Sequence, residues 1–127
     1  MKQSASSELL SQEVVLERQS VLWFLQGREI KSYRLEPSGK IAVMPYRVEG
    51  GRAKLMPEDE LQRQFPKTYQ YLIKNKKYLE SRENGRHRGN QWYGYGRVQN
   101  IDLMLMAKIL VPDIADRACF AIDVNGE

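Results

Sequence analysis

Two prolines, Pro57 and Pro66, fix where this chain can be helical. Met56-Pro57-Glu58-Asp59-Glu60 reads as a helix start, because proline suits a first turn and carboxylates suit the positive end of the helix dipole. That helix runs to about Phe65, where Pro66 breaks it. Pro66 then fits the first turn of the longest helix, 67–83. On a wheel of this second helix Tyr69, Leu72, Ile73 and Leu79 fall within one arc of about 120° and are expected to face the core. Lys67, Tyr71, Lys74, Tyr78 and Arg82 lie opposite. Lys76 points into the apolar arc, which requires a snorkelling stem or a bend in the helix.

Everything outside 56–83 comes in short runs. Met1–Ser7 is small, polar and unpatterned and reads as disordered. Glu13–Gln19 contains the run VVL and suits strand or helix. Ser20 is placed to cap a short helix over Val21–Leu25, ended by Gly27. Tyr33–Leu35 and Ile41–Tyr46 read as strands around a Pro37-Ser38-Gly39 turn. Val48 starts another strand, which Gly50 and Gly51 interrupt. Arg97–Met106 opens as a short helix, and Lys108–Val111 and Ala118–Val124 read as strands. The expected fold is α+β: a small mixed or antiparallel sheet, one long helix at about 67–83 and a short helix before it. Residues 1–19 are a poorly assigned N-terminal segment, and 20–127 form the folded part. Asn125-Gly126 after the last strand is a hairpin signal with no return strand, so the chain reads as a fragment of a larger domain.

At 127 residues the chain suits one domain, and 42% hydrophobic with 28% charged residues is the balance of a globular protein rather than a disordered one. Cys119 is the sole cysteine, so no internal disulfide can form and a reducing compartment is expected. The N-terminal MKQSASSELLSQ has no long apolar run, so neither a signal peptide nor a membrane partner is expected. His87 is the sole histidine, no phosphate-binding loop is present, and Glu58, Asp59 and Glu60 are explained by the helix start. No metal and no catalytic residue is expected in this chain.

Charge is unevenly spread. From Arg63 to Arg97 there are nine Lys/Arg against Glu80 and Glu83, a net of +7 in a chain whose total is +4, so the remainder carries −3. Such a segment fits either a polyanionic partner or a solvated basic face. Within it lies NGRHRGNQWYGYGR, residues 84–97, with no aliphatic residue. Its glycines allow tight turns and close approach. Arg86 and Arg88 offer forks that match phosphates or a guanine edge, and Asn90 and Gln91 can pair two-pronged with adenine. The bland alternative is a long loop whose Trp92 and Tyr95 plug the core while its arginines stand in solvent. Trp92 itself suits core better than contact.

Segments along most of the chain resemble the TaqI-like C-terminal specificity domain of bacterial adenine-specific DNA methyltransferases, also found in fused restriction–modification enzymes. LWFLQGREIKSYRL (22–35) is similar to the family's entry motif, and IAVMPY (41–46) to its apolar strand ending in Pro-Tyr. FPKTYQYLIKNKKYLESRE (65–83) resembles its signature helix, and WYGYGRVQN (92–100) its Trp-Tyr…Gly-Arg segment. KILVP (108–112) and FAIDVNGE (120–127) resemble its closing strands. The resemblance implies a cytoplasmic bacterial protein that holds double-stranded DNA and selects a target sequence. An N-terminal methyltransferase domain of the same parent chain would bind S-adenosylmethionine, so no cofactor is expected in this fragment. That domain's Asn-Pro-Pro-Tyr motif is not in this chain, where Met44-Pro45-Tyr46 is the sole Pro-Tyr. Methyl transfer to a flipped-out adenine is therefore implied for the parent enzyme alone.

Expected roles follow. Arg28, Lys31, Lys67, Lys74 and Arg82 are candidate phosphate contacts. Arg86, Arg88, Asn90 and Gln91 are candidate base readers, and Tyr71, Tyr78 and Tyr93 candidate aromatic contacts. Gly27 and Tyr33 read as architectural, while Lys108 and Asp123 are open between fold and contact. Two rivals remain: a non-catalytic protein-interaction module with a basic face, and a single-stranded nucleic-acid binder that stacks bases on its tyrosines.

Overall fold

A computed structural model describes residues 2–7 and 10–126. The architecture is α+β: among the described residues, short strands in two-stranded antiparallel ladders and three α-helices. The chain divides into two compact units. Unit 1 comprises Met1–Val21 and Val43–Gln99, and unit 2 comprises Leu22–Ala42 and Asn100–Glu127.

The strands in chain order are β1 (Lys2–Ser7), β2 (Gln12–Glu17), β3 (Val21–Trp23), β4 (Ile30–Lys31) and β5 (Arg34–Leu35), then β6 (Ile41–Val43), β7 (Tyr46–Glu49), β8 (Arg52–Leu55), β9 (Lys108–Leu110) and β10 (Ala121–Asp123). The helices are α1 (Glu58–Gln64), α2 (Pro66–Lys74) and α3 (Lys76–Gly85).

In unit 1, β1 and β2 pair antiparallel, with Lys2 opposite Glu17 and Ser7 opposite Gln12. Lys2–Ser7, read from sequence as disordered, is thus a strand. Its polar side chains carry no pattern because backbone pairing holds it in place. β7 and β8 form a hairpin whose turn is Gly50-Gly51, at φ 58° and 75°. Left-handed geometry at both central positions matches the twist of the flanking strands, so these glycines join two strands rather than end one. Arg47 on β7 ties the hairpin to α1 through Glu60.

The core of this unit is Met56, Leu61, Leu72, Trp92 and Tyr93, with Phe65, Tyr69 and Leu79 packed against it. Tyr69, Leu72 and Leu79 of the expected arc therefore face inward, whereas Ile73 is 40% exposed. The helix expected over 67–83 is divided at Asn75 (φ −100°, ψ 5°). The buried Asn75 side chain donates to Tyr71 O at 2.8 Å and its N–H bonds to Leu72 O at 3.0 Å, so the residue closes α2 as a C-cap and stands as the N-cap of α3. Lys76, the first residue of α3, stands over the Trp92 ring, its Nζ 4.9 Å from the centroid. The cation in the apolar arc is thus placed on an aromatic face.

Glu17, at the end of β2, caps α2 from outside the helix. Its carboxylate accepts from Lys67 N (3.0 Å), Thr68 N (2.9 Å) and Thr68 Oγ1 (2.8 Å). Burial pushes the Glu17 carboxyl up, but these hydrogen bonds outweigh it and hold the group below its ordinary value. Ser20 is buried and bonded to Glu17 O and Thr68 Oγ1. Its hydroxyl is therefore occupied, and Val21–Trp23, β-branched and aromatic, is strand β3 rather than the capped helix expected there.

In unit 2, β4 pairs with β5 (Lys31 opposite Arg34), and β9 pairs with β10 (Asp123 opposite Lys108). Lys108 Nζ meets Asp123 and also donates to Met104 O at 2.8 Å, while Asp123 accepts from Gly126 N at 2.9 Å. Both residues work within the fold. The Glu29 carboxylate accepts from Ser38 and from Gln26 N, and the bonds from Ser38 and the Gln26 and Ser38 N–H groups hold it below its ordinary value. Gly27 sits where a Cβ would lie 3.3 Å from Pro112 Cβ, which explains the glycine by close approach.

Candidate nucleic-acid interface

The regular part of α3 ends at Ser81, because Arg82 turns extended (φ −57°, ψ 145°) and Glu83 and Asn84 are left-handed (φ 48° and 59°). Gly85 follows at φ 82°. Three successive left-handed residues reverse the chain, and asparagine and glycine are the types that tolerate this. The loop then winds through turns closed by Arg88 N to Gly85 O, Trp92 N to Gly89 O and Gly94 N to Gln91 O.

Arg82 closes the loop at its base. Its Nε donates to Leu79 O (2.9 Å), and its Nη2 donates to Trp92 O (3.0 Å) and Gly94 O (2.9 Å). One guanidinium thus joins the end of a helix to both flanks of Tyr93, and these donors are spent on carbonyls. Trp92, 1% exposed, anchors the same end of the loop in the core, and Tyr93 is buried with its hydroxyl donating to Met56 O at 2.6 Å.

Between these anchors Arg86, Arg88, Asn90 and Gln91 line one cleft of about 680 Å³. All four are exposed. Tyr46 and Tyr95 share the lining. Tyr95 donates its hydroxyl to Val43 O, and its N–H donates to Tyr46 Oη at 2.8 Å. Burial, with Tyr46 beside it, pushes the Tyr95 phenol up to about 12, and burial likewise raises Tyr46. Both phenols keep their protons at neutral pH. Gly94 lets this wall close, since a Cβ there would come within 3.2 Å of both Tyr46 Oη and Gln91 O. The carboxylate of Glu83 lies 3.9 Å from Arg86 and 3.7 Å from His87 Nε2, and the long contact to an exposed Arg86 is a weak one.

The other candidates fall elsewhere. Lys67, Tyr71 and Lys74 line a groove of about 300 Å³ along α2 and β2, which Glu13 also lines. Tyr71 is held there by Ser7, hydroxyl to hydroxyl at 3.1 Å. The N-terminus of α2 is filled by Glu17, which takes the N–H groups of Lys67 and Thr68 and leaves the Lys67 side chain in the groove. Tyr78 stands on α3 at 55% exposure. Arg28 and Lys31 belong to unit 2, where they line a cleft of about 710 Å³. Sequence reasoning passed over Tyr46 and Tyr95 as walls and Arg34 and Arg117 as further cations of the unit 2 cleft. The Tyr-Gly-Tyr-Gly spacing carried a signal for Tyr95, and nothing in sequence joined Arg117 to Arg28. Among the described residues no cluster of His, Cys, Asp and Glu could hold a metal ion, and no helix is long and apolar enough to cross a membrane.

No protein-family model matches the chain, and no solved structure matches it. A curated relative does: the type II restriction enzyme and methyltransferase RM.Eco57I of Escherichia coli is 33% identical over 72 residues, which is 54% of this chain and 7% of that protein. The matched segment is a small part of the relative's length. With that similarity, the chain carries a region related to restriction–modification proteins.

Proposed function

We propose that this chain is the DNA target-recognition part of an adenine-specific, S-adenosylmethionine-dependent DNA methyltransferase or fused restriction–modification enzyme. The observation that carries the reading is the convergence of Arg86, Arg88, Asn90 and Gln91 on one cleft, on a loop anchored at both ends. Guanidinium and carboxamide groups are the side chains that pair two-pronged with guanine and adenine edges in the major groove. Lys67 and Lys74 supply phosphate contacts that set register, and Arg82 serves by fixing the loop. The restriction–modification relative supports the same reading. In this reading the methyl donor and the transfer step belong to another domain of the parent enzyme.

The test is duplex binding by fluorescence anisotropy across a salt series, with competition by a pool of duplex sequences. Lys67→Gln with Lys74→Gln should weaken binding to all sequences and lower the salt slope by about 0.9 for each phosphate no longer neutralised. Arg86→Gln and Asn90→Ala should instead relax the sequence preference, by about 1–3 kcal/mol for each two-pronged pairing. Site choice that survives both loop changes refutes the base-reading assignment. Tighter binding to single strands than to duplex moves the function to a stacking binder.

A further inference from the structure

We propose that unit 2 makes a second nucleic-acid contact in which Tyr33 stacks on a base while Arg28, Lys31 and Arg117 hold the neighbouring phosphates. This rests on the DNA reading above and extends it to a residue that sequence alone marks as architectural.

Tyr33 lies in the two-residue turn between Lys31 and Arg34, which face each other across β4 and β5. Its backbone is left-handed, φ 65°. A left-handed residue in such a turn is ordinarily glycine or asparagine, because a bulky side chain brings Cβ against the following carbonyl. The strain gains no burial, since Tyr33 is 80% exposed. Its N–H donates to Phe120 O at 2.7 Å, a bond that any residue but proline would make. Its ring meets Phe120 edge-on, centroids 5.1 Å apart at 76°. The contact is limited, since a side chain 80% exposed keeps most of its ring surface open to solvent. A strained backbone that holds a rigid aromatic in water is the pattern of a ligand contact rather than of a fold contact.

The charge beside it fits a polyanion. Lys31, Ser32 and Arg34, the neighbours of Tyr33, line the 710 Å³ cleft with Arg28 and Arg117. Four cations there stand against two carboxylates, Asp113 and Asp116. Arg34 is engaged by Glu36 at 2.6 Å, whereas among the described residues Arg28, Lys31 and Arg117 form no salt bridge. Base–aromatic stacking tolerates any base, and three such cations grip a backbone, so this contact adds affinity and register rather than sequence choice.

The test uses a labelled duplex and anisotropy at several salt concentrations, with thermal melts in parallel. Tyr33→Asn suits the left-handed backbone but removes the stacking face. It should bind about 5- to 150-fold more weakly with an unchanged salt slope and melt no lower than the parent. Tyr33→Phe should bind like the parent. Arg28→Gln with Arg117→Gln should lower the salt slope by about 1.8. Parent-like binding by Tyr33→Asn, or weaker binding matched by a lower melting temperature, overturns the proposal. If Arg86→Gln alters binding while Tyr33→Asn does not, the DNA reading stands and this contact falls. If the parent protein does not bind duplex at all, both fall.

Discussion

Replacing Glu17 should unseat α2 from a distance. Three hydrogen bonds converge on that carboxylate, two from backbone N–H groups that α2 leaves without intrahelical partners. Losing a cap costs about 0.5–2 kcal/mol. Losing a negative charge at the positive end of a helix costs a further 0.3–1 kcal/mol or so. Glu17→Ala should therefore destabilise by about 1–3 kcal/mol at pH 7. Glu17→Gln, which keeps an acceptor and loses the charge, should cost less, about 0.5–1 kcal/mol. For a chain of this length each kcal/mol shifts the melting temperature by roughly 3–5 °C, so thermal melts resolve the two variants. The sign of the pH dependence is fixed by the direction of the shift. The folded carboxyl lies below its ordinary value of 4.5, so its contribution is fully present above that pH and is lost as pH falls through the folded value. The gap between parent and Glu17→Ala melts should stay constant from pH 7 to about 5 and narrow in more acid solution. Taking the difference removes Glu29, which is shifted in the same direction and contributes to both curves alike. An Ala variant as stable as the parent at pH 7, or a gap that widens in acid, would refute the capping argument.

Two further outcomes follow from the loop and its supports. Arg82→Gln removes the bonds to Trp92 O and Gly94 O; it should destabilise by about 1.5–3 kcal/mol and speed amide exchange across Arg86–Gln91. Unchanged exchange there would show that Trp92 alone holds the loop. Lys76→Met keeps the stem over Trp92 but removes the cation and should cost about 0.5–1 kcal/mol, while Lys76→Arg should be near neutral; equal melts for all three would dismiss the cation–π contact.

The helical part was legible because Pro57, the acids after it and Pro66 act locally, and a first turn needs no distant partner. Turns were legible for the same reason at Gly50-Gly51, though only pairing partners tell a turn from an interruption. β1 was not legible: KQSASS has no apolar period, and its strand state comes from the register with β2. The division of 67–83 hinges on Asn75 closing one helix with its own side chain, a choice among conformations that residue type leaves open. In the loop, the grouping of Arg86, Arg88, Asn90 and Gln91 could be anticipated because they are near neighbours in sequence. The use of Arg82 as a clamp could not, since it depends on where two carbonyls at the far end of the loop come to lie. Tyr33 shows the same limit. Its residue type does not report its backbone sign or its exposure, the two features on which the proposed contact rests.

Unit 2 is assembled from two stretches separated in sequence by the whole of Val43–Gln99. Ile30 O meets Cys119, and Tyr33 N meets Phe120 O, so the early stretch finds these partners only in the late one. During synthesis Leu22–Ala42 can form its own β4–β5 ladder, while Ile30 O and Tyr33 N await these partners until the late stretch is made. The turn itself needs only the early stretch, but the cleft that joins Arg28 and Lys31 to Arg117 is completed after Val43–Gln99 has been made, when the Arg86–Gln91 loop is already in the chain.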